Sequence, residues 1–265
     1  MTSPTLDDIR RDLTDEQDAL DAVVAPLTPD DWAKPTPSPG WTVADQIGHL
    51  TYFDGTAVTA IVDPDEFARS TEELLRSLGS TDAERATLFR DLTPNDLYER
   101  WRANRQRLAA AGATLDEKQR IPWYGPSMSA KSFLTARLME CWAHGQDVVD
   151  AVGATRPATD RLRHIAQLGV ITRGWTYANR KEEAPAGEVR VELTAPSGAT
   201  WTWGPDDAGD AVRGPAEDFC LVVTQRRHVD DTALAVTGAA ARDWMEKAQA
   251  FAGGATSGPP KGGRR

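Results

Sequence analysis

The sequence predicts a mainly α protein: a helical bundle followed by a small C-terminal α+β domain. Three observations predict it. Apolar residues recur at helical spacing through the first two thirds of the chain, stretches rich in Pro and Gly separate those runs, and after "KEEAPAGE" the period switches to strict alternation. At 265 residues, 40% hydrophobic and 26% charged, the chain has the composition of a folded protein with a sizeable core.

Residues 5–24 carry Leu6, Ile9, Leu13, Leu20 and Val24 among charges and read as the first helix. The prolines of "PLTPDDWAKPTPSPG" break it. Thr42 then reads as an N-cap, with Asp45 three residues on as in a capping box, and Val43, Ile47, Leu50, Ala57 and Ile61 continue a helix over 42–62. "DPDEFARSTEELLRSLG" reads as a shorter helix, and "TPNDLYERWRANRQRLAAAG" as a long one between a Thr cap and a Gly stop. "LDEKQRIPWYGPSMSA" is expected to be a non-helical loop. "SAKSFLTARLMECWAHGQDVVDAVG" runs as the fourth long helix from a Ser cap to a Gly stop, and 159–180 forms a fifth.

Beyond it, "VRVELTA" and "GATWTWG" alternate around Pro196-Ser197-Gly198 and predict a β-hairpin. "GPAEDFCLVVTQRR" reads as a helix, "LAVTG" as a short strand and "AARDWMEKAQAF" as a closing helix. The expected domains are a helical bundle over 1–180, an α+β unit over 181–254 and a disordered tail over 255–265, where "GGATSGPPKGGRR" lacks large apolar residues.

The formal net charge of −10 argues against a broad phosphate-binding surface, so nucleic acid is not an expected partner. No run approaches the roughly 20 apolar residues that span a bilayer, so no membrane partner is expected either. The two cysteines, Cys141 and Cys220, form no CxxC pair or framework, and a cytoplasmic location is the simplest setting.

Chemistry concentrates in "MECWAHGQD". Glu140 and His144 are four residues apart and Asp147 three further, so all three share a narrow stripe of one helix. That arc also bears Phe133, Ala136, Ala143 and Ala151, while the opposite arc bears Leu134, Leu138, Cys141, Val148 and Val149. Both faces read as buried, where ionisable groups are costly unless paired or metal-bound. An exposed face carrying an Arg137–Glu140 ion pair is the competing reading. Two ligands leave a divalent ion short of the three that a catalytic zinc site takes from protein. His49, on a long and mostly apolar helix, is the best third donor, since facing helices of a bundle contribute ligands to a shared interior. By itself it reads as a core-edge histidine bonded to a neighbour.

"GWTVADQIGHL" and "ARLMECWAHGQDVVDAVG" together resemble the metal-binding signatures of the DinB / mycothiol-dependent maleylpyruvate isomerase superfamily. "IPWYGPSMSA" and "RHIAQLGVITRGWTYANR" are similar to an actinobacterial branch sometimes labelled wyosine base formation. The resemblance covers about residues 1–180 and extends more weakly to the C-terminal unit, which looks like a sterol-carrier-like domain. It implies a DinB-like four-helix bundle holding a divalent metal, usually zinc, through His49, Glu140 and His144. It also implies a small-molecule thiol, mycothiol, as co-substrate and an electrophilic substrate. The family's C-terminal arginine has no clear counterpart here, and only Arg226 or Arg227 of "TQRR" is available.

The resulting expectation is an enzyme, a metal-dependent thiol transferase or isomerase in which the metal activates a thiolate. A hydrolase using metal-activated water, and a non-catalytic metal-stabilised module binding a small ligand, are the alternatives. Asp147 and Asp45 are candidates to orient the ligand histidines, although a capping or solvent-facing role suits each as well. Trp41, Trp123, Tyr124 and Trp142 either wall the pocket or pack as core aromatics. Cys141 points about 100° away from Glu140 on its helix and reads as core.

Overall fold

The computed structural model describes residues 4–77 and 87–263. The chain divides into two compact units, Met1–Arg156 and Pro157–Arg265. No helix among the described residues is long and apolar enough to cross a membrane.

The first unit is a four-helix bundle. Its elements are α1 (Leu6–Val24), a single-turn α2 (Pro29–Trp32), α3 (Val43–Val62), α4 (Pro64–Ser77), α5 (Pro94–Ala113), a two-residue hairpin of β1 (Arg120–Ile121) and β2 (Met128–Ser129), and α6 (Ala130–Val152). The last two residues of the helix expected over 63–79 lie outside the described residues. Contacts run α1 to α6, α6 to α3, α3 to α5 and α5 back to α1, which closes the bundle. Leu20, Val24, Ile47, Leu50, Leu97, Trp101, Cys141 and Val148 form the core between these helices, with Trp32 of α2 and Val43 at its end.

Helix starts lie where polar side chains meet the unpaired N–H groups of the first turn. Thr5 with Asp8, Thr28 with Asp31 and Thr42 with Asp45 each make a reciprocal capping box. Thr93 and Ser129 cap α5 and α6 through their hydroxyls. Gly153, at φ +66°, ends α6 in the left-handed region that a residue with a Cβ enters reluctantly. The proline-rich stretch does break the helical run, yet it is ordered. After α2 it folds back so that Pro35 bridges Thr42, Val43 N donates to Lys34 O, and Thr36 N donates to Trp41 O.

The second unit contains α7 (Leu162–Ile171), α8 (Arg173–Arg180), α9 (Ala216–Val223), α10 (Ala239–Lys247) and a four-stranded sheet. Its strands are β3 (Val189–Thr194), β4 (Thr200–Trp203), β5 (Asp210–Pro215) and β6 (Ala235–Thr237), in the order β4-β3-β5-β6. β3 and β4 form the expected hairpin, with Leu193 opposite Trp201. β5, which the sequence reading lacked, runs parallel to β3 and antiparallel to β6. Its short run, "DAVRGP", carries Gly and Pro, and only pairing on both edges makes it a strand.

Three expectations are corrected here. The helix over 159–180 is two helices, because the Thr172 hydroxyl bonds back to Leu168 O and Gly169 O where the first one ends. The boundary between the units falls at Arg156/Pro157 rather than at 180, since these helices bond to later parts of the second unit. Arg173 donates to Pro185 O and Gly187 O, and Tyr177 Oη donates to Asp243. The segment over 255–263 is docked rather than free. Thr256 exchanges hydrogen bonds with Gln225, and Gly262 N donates to Asp231.

Candidate metal centre

α3 and α6 face each other across the bundle, and the facing surfaces bring His49, Glu140 and His144 together. One ligand atom from each lies within 4.8 Å of the others. Glu140 Oε2 stands 3.4 Å from His49 Nε2 and 3.2 Å from His144 Nε2, and the imidazole rings are 4.1 Å apart between centroids. The 91-residue separation of His49 from Glu140 is bridged because both helices are capped at fixed residues, Thr42 and Ser129.

These spacings fit a metal ion. Two ligands each about 2.0–2.1 Å from a tetrahedral zinc lie roughly 3.3–3.4 Å apart, which both contacts with Glu140 approach. Two imidazoles and one carboxylate are also a donor set that leaves one position open. No thiolate belongs to the set: Cys141 is buried, and burial pushes its thiol well above the usual range.

His144 is oriented from the other helix. Gln46 Oε1 lies 2.5 Å from His144 Nδ1, the Gln46 amide Nε2 donates to Thr36 Oγ1 at 2.9 Å, and Thr36 Oγ1 donates to Trp41 O at 2.9 Å. The chain has one consistent direction. Because the Thr36 hydroxyl proton is spent on a carbonyl, Gln46 must present its nitrogen to Thr36 and its oxygen to His144. Nδ1 of His144 therefore donates to Gln46, which leaves Nε2 as the nitrogen that faces Glu140. Gln46 did not emerge from the sequence, although its place three residues before His49 puts it on the same face of α3.

Glu140 has opposing influences. Burial raises the carboxyl, but hydrogen bonds from His144 and His49 and the charge of Arg137 outweigh it and hold the group well below the usual range. Nearby on α3, burial pushes the Asp54 carboxyl up to about 7. The charges of Arg137 and Arg105 and the Gln17 amide, 3.4 Å from Asp54 Oδ2, pull it down, and Glu140 adds to the rise. Asp54 too went unnoticed, since nothing local in "FDGTA" marks it as buried.

The remaining candidates sort by distance. Trp41 walls the centre, with its ring 5.5 Å from that of His49 and stacked 5.8 Å from that of His144. Phe53 closes another side at 4.5 Å from His49. Trp123 and Tyr124 stand behind Phe53 at 6.1 and 5.9 Å, and the Arg137 guanidinium lies over both Phe53 and Trp123. Trp142 is not brought to the centre; Arg156 lies over its ring and bonds its carbonyl. Asp147 meets the Ser38 hydroxyl at 3.0 Å, bracing the turn that carries Trp41, and the group on His144 Nδ1 is Gln46. Asp45 closes the Thr42 capping box and pairs with Arg90. Although burial opposes them, those partners lower its carboxyl. Arg226 and Arg227 belong to the second unit, where their backbone N–H groups close the turn after α9 on Leu221 O.

Known proteins share this architecture. Residues 13–149 match the family model described as the mycothiol maleylpyruvate isomerase N-terminal domain, and residues 185–237 match one described as wyosine base formation. Two uncharacterised proteins of Mycobacterium tuberculosis, from strains CDC 1551 / Oshkosh and H37Rv, are each 48% identical over 257 residues, covering 96% of both chains. Crystal structures of a mycothiol-dependent maleylpyruvate isomerase and of its His-to-Ala mutant superimpose with TM-scores of 0.58 and 0.59. Each match is 17% identical and covers 89% of this chain and 95% of the other, which shows a common fold. With more than half of its length matched, and with the helical bundle those structures share, the chain belongs to the family of the mycothiol maleylpyruvate isomerase N-terminal domain.

Proposed function

We propose that the protein is a zinc-dependent enzyme that transfers or adds a low-molecular-weight thiol of the mycothiol class to an electrophilic small molecule, as an S-transferase or an isomerase. The observation that carries this reading is the convergence of His49 Nε2, His144 Nε2 and Glu140 Oε2 within one small volume of the bundle. The family's described members supply the thiol. When bound, a divalent ion supplies Lewis acidity, which lowers the pKa of a thiol at its open position.

The chain's own residues do the rest. His49, His144 and Glu140 hold the ion, and Gln46 keeps His144 in the tautomer that offers Nε2. Trp41 and Phe53 cover the imidazoles and keep bulk water from their faces. Arg137 places a positive charge beside Glu140, which offsets negative charge gathered at the centre. Binding energy from the remainder of the thiol and of the electrophile orients the two for reaction.

The test begins with metal analysis of protein purified without a histidine tag, for wild type and His49→Ala. Consumption of mycothiol is then followed with model electrophiles such as activated enoates. Stoichiometric zinc in the wild type alone, with thiol consumption that tracks it, is the expected result. A metal-free wild type sinks the proposal. Turnover that ignores added thiol replaces it with a hydrolase.

A further inference from the structure

A concavity lies in the first unit where α3, α4 and α5 meet, and none of His49, Glu140 and His144 is in its lining. Its volume is about 440 Å³, within the range of small-molecule sites. Its lining is chemically one-sided. Among the described residues no Asp or Glu lines this groove, whereas Arg100 and Arg107 both do. Among the described residues neither arginine is ion-paired: the Arg100 guanidinium lies over Phe89, and Arg107 donates to Asn104 Oδ1 at 3.3 Å. In a protein with a net charge of −10, two such guanidiniums on a described lining without carboxylates are a local reversal of the overall field.

The hydroxyl groups are equally specific. Thr51, Thr56 and Thr59 of α3 each donate their own proton to the carbonyl four residues back, Ile47, Tyr52 and Gly55 respectively. What Thr56 and Thr59 then present to the groove is acceptor lone pairs. Tyr52 Oη and Tyr124 Oη lie 3.3 Å apart and share one hydrogen bond. The floor is set by Asn104, whose Nδ2 donates to Thr51 O at 2.8 Å. A Cβ at Gly55 would stand 2.9 Å from that nitrogen, so glycine is what lets α5 approach here. The anchored Asn104 in turn holds Arg107 at the rim.

From this pattern we infer that the groove binds a small polyhydroxylated anion: a sugar-sized molecule whose hydroxyls donate to Thr56 and Thr59 and whose phosphate or carboxylate meets Arg100 and Arg107. Guanidinium groups suit both anions, because their paired N–H donors match either oxygen fork. The inference is independent of the metal reading, since none of the three candidate ligands lines the groove.

Isothermal titration calorimetry of the full chain decides it, with glucose 6-phosphate, glucuronate, glucose and inorganic phosphate as probes. At least one anionic sugar should bind at least tenfold more tightly than glucose and than phosphate alone, and which one identifies the anion. Its affinity should fall with added salt. Arg100→Gln and Arg107→Gln should each weaken it at least fivefold, and Thr56→Val should weaken the sugar without changing the salt dependence. Both arginines are exposed, and circular dichroism and thermal unfolding serve as checks that the variants fold. Absence of binding by both anionic sugars at millimolar concentration overturns the inference, as does binding that survives both arginine substitutions in folded protein. Inorganic phosphate binding as tightly as the sugars also overturns it.

Discussion

Gln46 Oε1 on α3 meets His144 Nδ1 on α6 at 2.5 Å, so one helix sets the tautomer of a candidate ligand carried by the other. Groups that orient a ligand histidine raise its basicity and hold its ring, and their loss typically costs about 10–100-fold in metal affinity. Gln46→Leu is therefore expected to weaken zinc binding by about that factor in a competition assay with a chromogenic chelator. Retention of full affinity would show that the bundle alone orients His144.

Metal should also act on stability. A ligand that binds only the folded state at 100 times its Kd stabilises by about 2.7 kcal/mol, which for a chain of this size raises Tm by roughly 5–10 °C. Zinc added to chelator-treated wild type should produce such a rise in differential scanning calorimetry, and Glu140→Gln should largely abolish it.

Asp54 gives the metal-free protein a pH dependence with a definite sign. Its folded carboxyl is pushed up to about 7 from an ordinary 3.8. Between those values the unfolded chain ionises while the folded protein holds its proton, so stability falls as pH rises through that window and levels off above it. The full shift corresponds to roughly 4 kcal/mol as an upper figure. Asp54→Asn should remove this decline in urea titrations from pH 4 to 8. An unchanged slope would place the decline elsewhere.

Arg156 and Glu16 form an ion pair at 3.1 Å with both side chains buried, their exposures being 5% and 3%. The same guanidinium bonds Trp142 O and covers the Trp142 ring. Breaking a buried pair from one side costs about 3–5 kcal/mol, because the other charge loses its compensation. Arg156→Met should lower unfolding stability by that amount while leaving zinc content unchanged, since neither residue belongs to the candidate ligand set. Loss of zinc in a folded variant would contradict that separation.

Much of this protein is readable locally. Helix starts at Thr5, Thr42, Thr93 and Ser129 and the stop at Gly153 follow from the hydrogen-bonding demands of helix ends, which a few adjacent residues satisfy. The stripe bearing Glu140 and His144 follows from helical spacing alone. β5 was not readable, because its partners β3 and β6 lie 21 residues before and 25 after it, and a Gly- and Pro-containing hexapeptide carries no strand signal without them. The single helix expected over 159–180 overlooked the Thr172 break.

The candidate centre divides along the same line. The donor types at His49, Glu140 and His144 are written in the chain, and so is their placement on two capped helices. Which face of α3 meets which face of α6, that Gln46 rather than Asp147 reaches His144 Nδ1, and that Asp54 is buried deeply enough to hold its proton were decided only when the bundle closed. Side-chain spacing along a helix is a local property of 3.6 residues per turn, whereas burial and cross-helix hydrogen bonds depend on ridges from segments about 90 residues apart packing into one another.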